Sequence, residues 1–292
     1  MLTFRAPAKI NLTLEVLARR DDGYHGIRSV MVPLELADEL DVEPSERFVF
    51  GCDRSELDGE DNLALAALRA LGELPPIRLE LRKQIPVQAG LGGGSSDAAA
   101  VLLAAMAGVF GAPAKRDWLQ VARSLGSDVP FFLVQAAALV EGTGERVTPA
   151  GAIARWHALI VRPPVSIATA QAYGELDAAR REIRTRKGSV SIALLEALQR
   201  ADFAAVESLM QNDFHDVIAA KTPEVARAVF ALREAGATNA LLAGSGSCVF
   251  SLAPQAAQID RIRERLDLPP EYERLTTAFA TTPQWRGASW TP

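Results

Sequence analysis

Between residues 86 and 97 the chain reads Pro86-Val87-Gln88-Ala89-Gly90-Leu91-Gly92-Gly93-Gly94-Ser95-Ser96-Asp97. Four glycines let the backbone approach a ligand closely. Their amides, together with the first-turn amides and the positive end of a helix opening behind them, suit a polyanion such as a triphosphate. The hydroxyls of Ser95 and Ser96 add partners for phosphate or for a phosphate-bound cation. The same residues also allow a plain turn in which Ser96 or Asp97 caps the helix. Familiar nucleotide loops do not fit. A Walker A loop places Lys and then Ser or Thr after its last glycine, where Ser95 and Ser96 stand, and a Rossmann fingerprint wants Gly or Ala at Ser95. The H-R-D, D-F-G and V-A-I-K elements of protein kinases are missing. Taken singly, Asp128 in Gly126-Ser127-Asp128-Val129-Pro130 is a turn or cap residue, Gly244-Ser245-Gly246 a hairpin turn, and Lys9 a lysine snorkelling from a strand edge. Cys52 and Cys248 stand far apart and outside any C-x-x-C, and His25, His157 and His215 lack ligand spacing, so no structural metal is encoded.

The elements that must carry these residues follow from periodicity. Alternation of apolar and polar residues predicts strands over 10–16, 48–50 and 77–81, and Asp61-Asn62-Leu63 opens a helix that stops at Gly72. A buried helix is expected over 97–110, another over 115–125, and a strand over 129–140. After an interruption at Pro149 and Gly151 a fresh strand is expected over 158–162, so the chain divides into domains 1–150 and 151–292. The second half supplies helices over 194–198 and 203–210, then a helix with Thr222 as N-cap and Pro223 at its first position. A strand over 239–242, a glycine turn, a strand over 247–252 and a helix from Gln255 complete an α+β unit with an antiparallel sheet. The basic run Arg180 to Lys187 reads as a solvated helix end or loop, with a ligand-contacting lid as the alternative.

Composition narrows the partners. The 292 residues carry 31 Lys+Arg against 36 Asp+Glu, a net charge of −5, and 49% are apolar. That length buries a substantial core without disulfide or metal staples. The acidic balance argues against nucleic acid as a partner. The apolar run over 98–110 falls short of the roughly 20 residues that cross a bilayer, and no secretory or lipidation signal stands at the N-terminus, so a cytoplasmic protein without membrane contact is expected.

Four segments carry a resemblance that is dense before residue 135, Ala6-Pro7-Ala8-Lys9-Ile10-Asn11-Leu12, Asp22-Gly23-Tyr24-His25, residues 89–99, and Gly126-Ser127-Asp128-Val129-Pro130-Phe131-Phe132, and it continues more loosely after 150, with Asn212-Asp213-Phe214 and Gly244 to Cys248 as its main points. In this order they resemble the motifs of the GHMP small-molecule kinases. The likeness is to members whose acceptor is a cytidine diphosphate-linked methylerythritol, phosphorylated by ATP on its 2-hydroxyl in the non-mevalonate route to isoprenoid precursors. It implies a two-domain α+β fold, with an N-terminal domain like ribosomal protein S5 domain 2, a C-terminal ferredoxin-like sandwich, and the active site in the cleft between them. It implies ATP with Mg²⁺, small-molecule partners only, and a monomer or weak homodimer. Asp128 would be the catalytic base and Lys9 the cation that holds it and polarises the acceptor hydroxyl. Pro86 to Ser96, with Asn62, Leu63, Lys83, Gly244 and Ser245, would hold the nucleotide. Asn11 would contact the methylerythritol, Tyr24 and Tyr173 would sandwich the cytosine, and His25 would read its edge. Two positions depart from the pattern: Gln88 is bulky where the loop carries a small residue, and Gly26 replaces an acidic one.

Two other readings stay open at this level. A kinase of the same family acting on mevalonate, phosphomevalonate, homoserine or a sugar would have no base for Tyr24 and His25 to grip. A nucleotide sensor that has lost its chemistry would need neither Lys9 nor Asp128.

Overall fold

The computed structural model describes residues 1–21, 23–111, 116–179 and 189–282. The basic run, Asp22 and Lys115 lie outside them. Two long antiparallel strands, β1 (Leu2–Arg19) and β2 (His25–Pro44), open the chain, and β3 (Val49–Cys52) follows. Helix α1 (Leu63–Leu71) begins where the Asn62 side chain accepts the Ala64 amide at 2.9 Å and ends at Gly72, as its start and stop signals require. β4 (Ile77–Arg82) leads through the glycine loop into α2 (Gly93–Met106), which starts earlier than expected, so the last two glycines are its first turn. Then come α3 (Trp118–Leu125), α4 (Val129–Val134), β5 (Ala138–Gly142) and β6 (Arg146–Pro149).

The segment after Asp128 corrects the expected strand over 129–140. Val129, Pro130, Phe131, Phe132 and Leu133 are all buried, so the run has no exposed alternate face, and Pro130 in the first turn costs a helix no hydrogen bond. A short apolar run of this kind has no period that separates strand from helix.

The second half contains β7 (His157–Arg162), α5 (Thr169–Ala179), α6 (Val190–Gln199), α7 (Phe203–Leu209), β8 (Gln211–Asn212), α8 (His215–Lys221), α9 (Pro223–Glu234), β9 (Leu241–Leu242), β10 (Val249–Ala253), α10 (Ala256–Arg265) and β11 (Glu273–Ala278). Among the described residues there are two sheets. The first runs β3-β4-β2-β1-β8, with β5 on β2 and β6 on β5; the second runs β11-β7-β10-β9 and is antiparallel throughout. No described helix is long and apolar enough to cross a membrane.

The long strand β1 serves both layers. Its even positions, from Phe4 to Val16, are buried apolar residues. Phe4, Ala6, Leu14 and Val16 join the core around α1 and α2, while Ala8, Ile10 and Leu12 join the seam that holds Ile160, Phe250 and Phe279 of the second half. Each such large side chain contributes roughly 1.5–3 kcal/mol on burial. Its odd positions Lys9, Asn11, Thr13 and Glu15 are buried too, and being polar they need partners. Glu15 finds them at the start of α6: its carboxylate accepts the Ser189 hydroxyl at 2.8 Å and the Ser191 amide at 2.9 Å. β8 pairs in parallel with β1 through Thr13 and Leu14, so the second half is stitched into the first sheet.

Candidate active site

A cleft of about 1440 Å³ runs between the glycine loop, the polar face of β1, and α5. Of the residues the sequence singles out, it is lined by Lys9, Asn11, Tyr24, His25, Asn62, Leu63, Lys83, Pro86, Val87, Gln88, Ala89, Gly90, Gly92, Gly93, Gly94, Ser95, Asp128, Tyr173, Gly244 and Ser245. Leu91 and Ser96 stand behind it. The Leu91 carbonyl accepts the Lys9 amide at 2.9 Å, and the buried Ser96 hydroxyl has no hydrogen-bond partner.

Close backbone contact explains the glycines. Gly90 has φ +77°, and a Cβ there would lie 2.0 Å from the Ala243 carbonyl oxygen. Gly92 has φ +75°, with room for a Cβ denied by Phe132 and by the Lys9 side chain. The loop therefore nests between β1 and the glycine turn of the other half. Asn212 holds that turn, donating from Nδ2 to the carbonyls of Leu242 at 2.8 Å and Gly244 at 2.7 Å. Gln88 adopts the left-handed region at φ +53°, a conformation that non-glycine residues seldom take, so this departure from the family pattern sits in a strained turn.

Lys9, only 4% exposed, donates from Nζ to Asn11 Oδ1 at 2.8 Å and to the Gly90 carbonyl at 2.9 Å. Its ammonium lies 3.6 Å from Asp128 Oδ2. Asp128 occupies the N-cap of α4 but makes no capping bond, so its carboxylate, 26% exposed, is turned to Lys9 and to the cleft. A cation and an accessible carboxylate next to an amide-rich loop are a set that can neutralise phosphate charge and accept a proton from a hydroxyl.

Lys83 is differently placed. Its ammonium contacts both Asp38 and Asp97, all three buried. Asp38 Oδ1 also accepts the amides of Gln84 and Ile85, at 2.6 and 2.7 Å, whereas Asp97 Oδ1 has no partner. Burial pushes the Asp97 carboxyl up to about 8 against the pull of Lys83. For Lys83 itself burial favours the neutral amine, but the two carboxylates outweigh it and raise its pKa.

The far end of the cleft is aromatic. His25 stacks on Tyr173 with ring centroids 5.3 Å apart, and Phe214 meets Tyr173 edge-on at 4.9 Å. His25 Nε2 lies 3.0 Å from Asp177 Oδ1. Burial, then the charges of Asp128 and Asp177, push the Tyr173 phenol up to about 12, so it stays neutral. Tyr24 stands at the rim, 70% exposed. Asp177 and Phe214 are site residues that sequence reasoning left unassigned. Asp177 had a signal, since Tyr173 and Asp177 are four apart on α5 and share a face; Phe214 comes from a remote segment.

Comparison with known proteins defines the class. Residues 62–136 match the GHMP kinases N terminal domain and residues 194–269 match GHMP kinases C terminal. A homoserine kinase from Cytophaga hutchinsonii shares the fold with a TM-score of 0.69 at 19% identity, over 97% of this chain and 95% of its own. The likeness is stronger to proteins named 4-diphosphocytidyl-2-C-methyl-D-erythritol kinase. The Deinococcus radiodurans protein is 40% identical over 87% of this chain and 84% of its own length, and the Symbiobacterium thermophilum protein 40% over 89% and 93%. The crystal structure of a 4-(cytidine 5'-diphospho)-2C-methyl-D-erythritol kinase superposes with a TM-score of 0.78 at 36% identity, covering 96% of this chain and all of that one. The chain is thus a GHMP kinase in both halves, and it belongs to the family of the 4-diphosphocytidyl-2-C-methyl-D-erythritol kinases.

Proposed function

We propose that this protein transfers the γ-phosphoryl group of ATP to the 2-hydroxyl of 4-diphosphocytidyl-2-C-methyl-D-erythritol. The observation that carries the reading is the placement of the Lys9–Asp128 pair between a glycine loop and an aromatic grip in one cleft. In this reading Pro86 to Gly90 and Gly92 to Ser95, with Asn62, Leu63, Gly244 and Ser245, hold ATP, Leu91 and Ser96 back the loop from behind, and Lys83 supplies wall rather than contact because its ammonium is committed to Asp38 and Asp97. Asn11 meets the methylerythritol, while Tyr24, His25 and Tyr173 take the cytosine, whose π-face suits stacking and whose edge suits a polar reader.

Asp128 accepts the proton of the attacking hydroxyl. Transfer through a loose transition state leaves that proton in place until late, so a carboxylate kept against an ammonium suffices as base. Lys9 holds the developing oxyanion charge, and most of the rate comes from positioning and neutralisation. Bound with ATP, Mg²⁺ would supply shielding of phosphate charge. The residues present fit it: the Ser95 hydroxyl lines the cleft at the helix end of the loop, and the buried Ser96 hydroxyl behind it is unpartnered.

ADP release with Mg-ATP tests the reading, comparing the cytidine compound with mevalonate, homoserine and galactose as acceptors. Turnover is expected with the cytidine compound alone. Preference for another acceptor overturns the substrate assignment, and silence with all four overturns the kinase assignment.

A further inference from the structure

Ser29 lies on β2 across from Leu14, is fully buried and does not line the cleft. A bulge in β1 between Asn11 and Thr13 interrupts the ladder beside it. The Ser29 hydroxyl donates to the Thr13 carbonyl at 2.6 Å, and the Asn11 Nδ2 donates to Ser29 Oγ at 2.8 Å. Thr13 in turn is fixed through its own hydroxyl, which accepts the Val30 amide at 2.9 Å and pairs with the Ser191 hydroxyl at 2.7 Å.

The donor arithmetic leaves a single arrangement. A serine hydroxyl has one proton, and that of Ser29 is spent on Thr13, so Ser29 presents only a lone pair to Asn11. An ammonium only donates, so Lys9 demands the carbonyl end of the same amide. Both ends agree: Nδ2 points at Ser29 and Oδ1 at Lys9, 2.8 Å away. Without Ser29 the hydrogen bond left to the Asn11 side chain among the described residues is the one to the ammonium it is meant to hold, and the two can shift together about the Gly90 carbonyl.

We infer that Ser29 is a positioning residue for phosphoryl transfer, anchoring the Asn11 amide so that its oxygen seats the Lys9 ammonium beside Asp128. The inference rests on the proposed catalytic role of Lys9 and Asp128. Ångström-scale displacement of a reacting group from a remote change costs up to about a hundredfold, and loss of one tether among several contacts is expected to cost about tenfold.

The test is a double-mutant cycle on turnover, with Ser29→Ala measured in the natural protein and in Asn11→Ala, where Lys9 and Asp128 keep a residual rate. In the natural background Ser29→Ala lowers kcat about tenfold, with the KM for ATP and the thermal midpoint little changed. In the Asn11→Ala background, with no amide left to anchor, the same substitution costs less than twofold. Equal losses in both backgrounds would show a general structural role and overturn the inference, as would an unchanged kcat in the natural background. A natural protein silent with the cytidine compound and with every other acceptor would instead reject the functional reading, and the inference with it.

Discussion

Lys9 and Lys83 are both buried, both lie against the glycine loop, and both face acidic side chains, yet they are built for opposite ends. Lys83 is closed on two sides by Asp38 and Asp97, with all three side chains buried, Lys83 and Asp97 in the cleft wall. Lys9 spends two of its donors on neutral carbonyl oxygens and meets its carboxylate at 3.6 Å, across a gap that opens on the cleft. A pair that is buried on both sides holds structure in place; a pair held slightly apart, with one partner exposed, retains hydrogen-bonding capacity for a third group. Proximity to the glycine loop is shared by both, so it is the exposure of the partner carboxyl that separates them: Asp38 and Asp97 are buried, whereas Asp128 opens on the cleft where the proposed chemistry takes place.

The sharpest way to break this comparison is to remove each lysine in turn. Lys9→Ala and Asp128→Asn are each expected to lower kcat by a thousandfold or more while the thermal midpoint shifts little and ATP still binds. A turnover within tenfold of the natural protein would end the catalytic assignment. Lys83→Met strands the buried Asp38 carboxylate beside a protonated Asp97 and should cost about 3–5 kcal/mol of stability in urea unfolding, a far larger loss than Lys9→Ala produces. Comparable stability losses from the two would erase the distinction.

Asp97 sharpens the contrast through pH. Its folded carboxyl titrates near 8, well above the ordinary carboxylate, so between about pH 4 and 8 the folded protein keeps a proton that the unfolded chain releases. Its contribution to stability is therefore greatest at the acid end and declines as pH rises through that window. Asp97→Asn should remove a decline of at most about 1.4 kcal/mol per pH unit, read from urea midpoints at pH 5 and pH 8. The smallest effect belongs to the rim: Tyr24→Ala should raise the KM for the cytidine substrate severalfold, with the KM for ATP unmoved, because it removes stacking shared by ground and transition states.

What was legible in the chain tracks what is local. The glycine loop, the helix opening behind it and the alternation along β1 are written in adjacent residues, whereas Lys9 and Asn11 stand out only through the family resemblance. The alternation was misleading in one respect, since polar odd positions normally mark a solvated face, and here Lys9, Asn11, Thr13 and Glu15 are covered by the glycine loop and α6. The helix after Asp128 was hidden because five consecutive buried residues have no period. Partnerships across long separations, such as Asp38 with Lys83 or Ser29 with Asn11, leave no mark in spacing, because nothing in a hydroxyl or a carboxylate says which distant backbone will be folded against it.

The contact of Gly90 with the Ala243 carbonyl has a consequence for how the protein is made. The loop read as the nucleotide cradle is bounded on one side by backbone that lies some hundred and fifty positions further along the chain, and the Cys248 amide donates to the Ala89 carbonyl at 3.3 Å. During synthesis, a ribosome that has released the whole first half has exposed the glycine loop with an open flank. The proposed nucleotide cradle is therefore complete only once the turn at Gly244 has been made and closes against it.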